Sequence, residues 1–212
     1  MLKCHLPAIG IGVALCLFVV AANYYPGGKM GSADTVGFSW THNFLCSLFQ
    51  PRALNGAENP ARYFAIPAIL FLCVSVGVMF RRISMRVQSR VHRKTIEIGG
   101  IGSVVYGFLV VTPMHNLMVN IGLLFSLAAL IATTHALYLE RRWSLFGWGA
   151  ICILLALLGA AMYHGNIFFS FLPVVQKVSL VACIGFVIAA HYALGGEEGE
   201  RMAASKSVEP AR

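Results

Sequence analysis

Six stretches of this chain are almost purely apolar, and each is close to the length of one bilayer crossing. They cover residues 6–25, 61–80, 98–112, 117–139, 143–162 and 173–194. A helix needs ~20 predominantly apolar residues to cross a hydrocarbon core. Backbone in lipid must satisfy its own hydrogen bonds, and runs this long and uniform do not alternate as barrel strands must. The fold class that follows is all-α integral membrane, a six-helix transmembrane bundle in which 98–112 is the shortest span. Charge content agrees: 11% of the residues are charged, against about 25% in a soluble domain.

A net charge of +8 raises the question of nucleic acid, and the placement of the charges answers it. Arg81, Arg82, Arg86, Arg90, Arg93 and Lys94 form one basic loop between the second and third spans. With Lys3, Arg141, Arg142, Arg201, Lys206 and Arg212 they put twelve cations on one side, against Lys29, Arg52, Arg62 and Lys177 on the other. This asymmetry is a topology signal. It places the chain in the inner (plasma) membrane with both termini cytoplasmic, and leaves no role for nucleic acid. The same basic loop is suited to touch anionic lipid headgroups. Tyr24, Tyr25, Trp40, Tyr63 and Tyr163 fall at the outer boundary, and Tyr138, Trp143, Trp148 and Tyr192 at the inner one, as two interfacial belts. The first run ends near Ala21–Ala22 and is longer than a secretory signal core, so it is read as an uncleaved helix.

The chain is one membrane domain, 1–194, with an outer loop at 26–60. A disordered cytoplasmic tail, 195–212, has too little apolar surface to fold. Six cysteines give no disulfide framework: Cys16, Cys73, Cys152 and Cys183 lie in spans, Cys4 is cytoplasmic, and Cys46 is outside without an obvious partner. Gly99, Gly102 and Ser103, with Gly100 or Gly107, line one side of the third span, where small residues let backbones approach. In the outer loop, "FSWTHNFLCSLF" (38–49) at 100° per residue puts Trp40, Phe44, Leu45, Leu48 and Phe49 on one half of a wheel. Ser39, His42, Asn43, Cys46, Ser47 and Gln50 fill the other half, which carries no charge. The pattern predicts a short amphipathic helix lying flat as a lid, its polar half turned toward protein.

Three His–Asn groups interrupt the oily pattern: "THNF" at 41–44, "TPMHNLMVN" at 112–120 and "YHGN" at 163–166. The topology brings His42, Asn43, His115, Asn116, Asn120, His164, Asn166 and Gln176 to one depth on the outer side. Polar side chains at such a depth face the bundle interior, so these eight are the candidate lining of an outward-facing pocket. Three histidines and a water would make an open catalytic zinc site, with His42, His115 and His164 as ligands and Asp34 as fourth ligand or anchor. No two of these histidines stand at a metal-motif spacing, so local helix capping is the competing reading.

"YYPGG…TVGFSWTHNFLCSLF", "VTPMHNLMVNIGLLF" and "PVVQKVSL" resemble segments of the prokaryotic membrane family catalogued as domain of unknown function 998, over most of residues 6–194. Related sequences often carry a Ser-Asp pair where this chain has Cys46–Ser47. The resemblance implies the polytopic fold and no established activity. A more distant likeness is to the alkaline ceramidase and adiponectin receptor superfamily, which hydrolyses lipid amides at a histidine-bound zinc. Two function classes follow. One is a membrane protein whose outward polar pocket binds or passes a small or lipid-like ligand or supports a partner. The other is a membrane-embedded lipid hydrolase dependent on histidine and metal.

Overall fold

The structure, a computed structural model, describes the backbone of residues 2–207 and the side chains of residues 5–195. The side chains of Lys3, Cys4, Arg201 and Lys206, and all of residues 208–212 in the expected tail, lie outside the described residues. Six α-helices are present among the described residues: α1 Leu2–Asn23, α2 Arg62–Arg86, α3 Arg90–Leu109, α4 His115–Leu139, α5 Trp143–Gly165 and α6 Leu172–Ser207. Between α1 and α2 stand a hairpin, β1 Gly27–Lys29 and β2 Ser32–Val36, and a 3₁₀ turn, Leu45–Leu48. A second 3₁₀ turn, Phe169–Phe171, leads into α6.

Five helices are long and apolar enough to cross a membrane: α1, α2, α4, α5 and the stretch Phe169–Gly195 that includes α6. This is a helical architecture compatible with a multi-pass membrane protein. α3 is the exception. Arg90, Arg93, Lys94 and Glu97 occupy its first two turns. Only residues 98–109 of it are free of charge, short of the ~20 needed for a full crossing.

The helices pack in sequence order, α1 on α2, α2 on α3, α3 on α4, α4 on α5 and α5 on α6, and α6 returns to α2. α1 thus rides outside a five-helix ring closed by α2 and α6. Burial follows helical spacing: Ala129, Leu130, Thr133, Ala136 and Leu137 form the inward stripe of α4, at the 3–4 spacing of one helix face. Against it lies Gly99 of α3, while Gly100 faces Phe80 of α2. A Cβ on Gly99 would stand 2.8 Å from the Phe125 carbonyl oxygen, so the small residue is what lets the two backbones touch. The glycines expected on one side of this helix divide between two neighbours, Gly99 and Gly102 toward α4 and Gly100 and Gly107 toward α2.

Two expectations about connections change. The basic loop is not a loop. α2 runs through Arg86 and α3 starts at Arg90, with only residues 87–89 between them. Helix can persist here because Ser89 caps α3, its side chain accepting from the His92 N–H, a favoured start. The basic side chains are consequently presented from two helix ends. Arg81 pairs with Glu97 across α2 and α3, and Arg86 Nη1 donates to the His191 carbonyl at 2.7 Å. At the far end, helical backbone continues past Gly195 to Ser207, where composition alone reads an unfolded tail. Glu, Arg, Met and Ala in that stretch are good helix formers, and a helix satisfies its backbone without a core.

The amphipathic lid helix is replaced by turns. Residues 38–44 contain no helix, and the only helical piece of 38–49 is the 3₁₀ turn Leu45–Leu48. The reason is local. The Asn43 side chain accepts the Ser39 N–H at 3.0 Å, and Asn side chains that bind nearby backbone compete with helix. The segment still covers the ends of the helices. It does so as a folded strap, with Asn43, Leu48 and Phe49 all buried, residues that the wheel put on opposite halves.

Candidate functional site

Contacts between helix ends define two poles of the bundle. At the basic pole His92 of α3 meets His135 of α4 at 2.7 Å, and His5 of α1 meets the Tyr192 hydroxyl of α6 at 2.9 Å. At the other pole the strap between α1 and α2 lies over the starts of α4 and α6. We call this the loop pole, and it carries every candidate residue.

Asn43 is the knot of the loop pole. Its side chain is fully buried. Oδ1 accepts from Ser39 N, and Nδ2 donates to the Gly28 carbonyl at 2.8 Å. That approach exists because Gly28 has φ +83° and its α-carbon faces Leu54 and Asn55 so closely that a Cβ would stand 2.4 Å from Asn55 N. Tyr25, also buried, accepts the Leu54 N–H at 3.0 Å. Burial is the main cause that pushes the Tyr25 phenol above its ordinary pKa, with hydrogen bonds from Leu54 and Asn43 acting against it. Asn59 closes the same core from below, Nδ2 donating to the Ser47 and Gln50 carbonyls at 3.1 and 2.9 Å.

The Asn43 backbone carbonyl is the link to the helices. Lys177, one turn into α6, donates to it at 2.6 Å and to the Pro173 carbonyl at 2.9 Å. The ammonium also stands 5.8 Å from the centre of the Phe38 ring. Lys177 thus reaches toward the boundary as a snorkelling lysine does, but its charge ends on protein carbonyls beneath the strap. Beside it, Gln176 accepts the Leu45 N–H at 3.0 Å through Oε1 and aims Nε2 at Cys46 Sγ, 3.5 Å away. The His115 ring lies near the Cys46 thiol. His115 Nδ1 donates to the Val110 carbonyl at 2.9 Å. Strap, α4 and α6 therefore meet in one polar cluster: Asn43, Cys46, His115, Gln176 and Lys177.

The sequence-derived set divides. Asn43, His115 and Gln176 come together. Asn120 and His164 pair separately, His164 Nε2 donating to Asn120 Oδ1 at 3.1 Å between α4 and α5. His42 turns to its own strap, with Thr41 Oγ1 at 2.8 Å and Ser39 Oγ at 3.2 Å from Nδ1, and is exposed. Asn116 and Asn166 are exposed as well. Asn166 ends α5 in the left-handed conformation, φ 52°, a position that Gly or Asn commonly takes. Asp34 is exposed on β2.

The proposed zinc set is overturned by this division. Among the described residues no group of three or more His, Cys, Asp or Glu could hold a metal ion. His42, His115 and His164 are each committed to a different partner, and tetrahedral ligation needs their nitrogens around one point. Two members of the cluster escaped the sequence reading. The sequence counts Lys177 only among the four outer cations, and Cys46 stands in it as a thiol without an obvious partner. The signal for both was the "QK" pair one turn into the last helix together with the uncharged half of the strap.

The chain matches no known family profile, no curated protein and no solved structure.

Proposed function

We propose that this protein is a six-span protein of the inner (plasma) membrane, both termini cytoplasmic, whose loop pole faces outward and binds a small or lipid-like ligand bearing negative charge. The observation that carries the ligand is Lys177. Its ammonium is drawn beneath the strap and satisfied by carbonyl dipoles, beside an amide, an imidazole and a thiol. Cations in such partly dry places favour anions far more than they do in water. The orientation rests on the twelve-to-four division of Lys and Arg. Counting α3 as a span is supported by its contacts with α4 at both ends: His92 near His135, and Tyr106 near Gly122. The segments that carry the resemblance to the domain of unknown function 998 family converge at this pole, through Leu45–Gln176 and Cys46–His115. Membership of that family is proposed on the resemblance of those segments alone.

Orientation is tested by labelling intact cells with an impermeant thiol reagent. Cys46 should react and a Cys46→Ser variant should not; labelling that survives Cys46→Ser would reverse the orientation. The ligand is tested with photoreactive phosphatidylglycerol and its phosphatidylcholine analogue in vesicles. The anionic probe should crosslink preferentially to residues 38–49 and 163–177, and Lys177→Met should erase the preference. Equal crosslinking by both probes would sink the ligand reading.

A second lipid contact is favoured by a groove between α2 and α3. Its volume is about 580 Å³, its walls are Cys73, Val74, Gly77, Val78, Val104 and Phe108, and Arg81 and Arg82 close its basic end. The arrangement suits one acyl chain with an anionic headgroup at the arginines, and Arg90, Arg93 and Lys94 extend the basic rim.

A further inference from the structure

We propose that the groove between α2 and α3 holds one resident anionic phospholipid of the cytoplasmic leaflet, and that this lipid staples α3 into the bundle. The inference rests on the reading of this groove as a lipid contact and assigns that contact a regulatory role: the anionic lipid content of the membrane sets how firmly α3 is held. α3 is the helix that needs such help. Its uncharged run, residues 98–109, is short of a full crossing, and Arg90, Arg93, Lys94 and Glu97 occupy the turns before it.

The groove follows from where the two helices touch. Contact is made at small residues: a Cβ on Gly77 would stand 3.1 Å from Val104, and one on Gly100 would stand 2.4 Å from Phe80. Small residues let the backbones approach, and the larger side chains beside the seam become walls. Leu70, Val74 and Val78 rise from α2 at steps of four residues, and Ile101 and Val105 from α3, each row on one helix face. All five are exposed.

Dimensions select the occupant. From Leu70 to Met85 the groove runs about 22 Å along α2. A volume of about 580 Å³ over that length leaves a mean width of about 5 Å. That admits one methylene chain, since carbons pack about 3.5–4.0 Å apart. A helix of a partner protein or of a second copy is about 10 Å across and does not enter. The length exceeds half of the ~30 Å hydrocarbon core, so the groove has room for a chain from one leaflet.

Charge selects the headgroup. A chain gains little by leaving the bilayer for the groove, because both are hydrocarbon, and the headgroup therefore decides residence. Arg81 and Arg82 stand in the lining at the basic end, and each cation beside an anionic headgroup favours it about 5-fold. Glu97 acts against this. It pairs with Arg81 across α2 and α3, and its carboxylate repels a phosphate, so lipid and Glu97 compete for one guanidinium. With the headgroup on the arginines of α2 and the chain against Ile101 and Val105 of α3, one molecule bridges both helices.

The test uses the purified full-length protein in detergent, with dioleoylphosphatidylglycerol or dioleoylphosphatidylcholine added at equal concentration. Native mass spectrometry should show one phosphatidylglycerol retained, preferred about 25-fold, a factor of about 5 for each of Arg81 and Arg82. Arg82→Gln should lower its retention about 5-fold, and Glu97→Gln should raise it about 5-fold. Val74→Trp and Val105→Trp fill the groove from opposite exposed walls and leave the arginines in place, so each should abolish retention. With phosphatidylglycerol at ten times its Kd, hydrogen exchange at residues 98–109 should slow about 10-fold, and phosphatidylcholine should leave it unchanged. Selective retention without a change in exchange overturns the staple and leaves the lipid contact standing. Equal retention of both lipids, or retention that survives the tryptophan variants, overturns the contact as well. If neither tryptophan variant stays monodisperse, Glu97→Gln decides the case, and unchanged retention there overturns the inference.

Discussion

The two poles solve the problem of buried polarity in opposite ways. At the basic pole most of the pairs are between side chains, Arg81 with Glu97, His92 with His135 and His5 with Tyr192, and Arg86 alone of these groups turns to a backbone carbonyl, that of His191 in α6. At the loop pole, side chains meet backbone. Asn43, Asn59, Tyr25, Gln176 and Lys177 all bind main-chain groups of the strap or the hairpin. The difference tracks what each pole must hold in place. Helix ends satisfy most of their own backbone, so the basic pole needs only to steer charges. The strap has almost no regular structure of its own, and buried peptide groups left without partners are costly. The driving forces differ as well. Within the bundle, apolar burial against lipid-like surroundings yields little transfer energy, and close packing at Gly99 and Gly149 does the holding. At the loop pole, burying Tyr25, Leu48 and Phe49 away from water contributes about 1.5–3 kcal/mol for each large side chain.

The largest break in this comparison comes from charging the strap's core. Leu48 is 0% exposed, so Leu48→Asp buries an unpaired carboxylate and should cost about 4 kcal/mol or more. The strap should then be cut rapidly by trypsin at Arg52. Gln50→Asp, two residues on and exposed, should leave the cutting rate unchanged; equal damage at both positions would mean the strap has no core.

Asn43→Ala comes next. It strands the Ser39 N–H and the Gly28 carbonyl and should cost about 3 kcal/mol, read from chemical denaturation in detergent. A loss below about 1 kcal/mol would show that water replaces the side chain there.

Tyr25 gives a pH-dependent version of the same contrast. Burial raises its phenol above the ordinary 10.0. The unfolded chain therefore loses that proton first, and stability present at neutral pH declines as pH rises through about 10. Denaturation midpoints should fall between pH 8 and pH 10.5 in the native sequence and less so in Tyr25→Phe, which at neutral pH costs about 1 kcal/mol for the lost Leu54 bond. Identical slopes would remove Tyr25 from the account.

The smallest effect belongs to the basic pole. Arg81 has 55% of its side chain exposed and Glu97 31%, so Arg81→Gln should cost below about 1 kcal/mol and less at high salt. A larger, salt-independent loss would show that the basic pole is held as tightly as the strap.

Some of this was decided by the residues alone. Apolar runs of bilayer length dictate helices, because no other open structure satisfies a backbone in lipid, and the glycines of α3 mark the side where a neighbour must come close. The sequence also located the polar pole, since His, Asn and Gln interrupt the runs at one depth. It could not show which of them meet. His42 and Asn43 are adjacent in the chain, yet one is exposed and the other is the knot of the strap. Periodicity supplied the wrong rule there, because an Asn side chain bound to its own backbone breaks the helical repeat on which a wheel depends. The partners of Cys46 lie 69 and 130 residues away, at His115 and Gln176. Only the docking of α4 and α6 under the strap makes a thiol, an imidazole and an amide neighbours. Helices are set by short-range pattern, whereas a site assembled from three separate elements is set by how their ends pack.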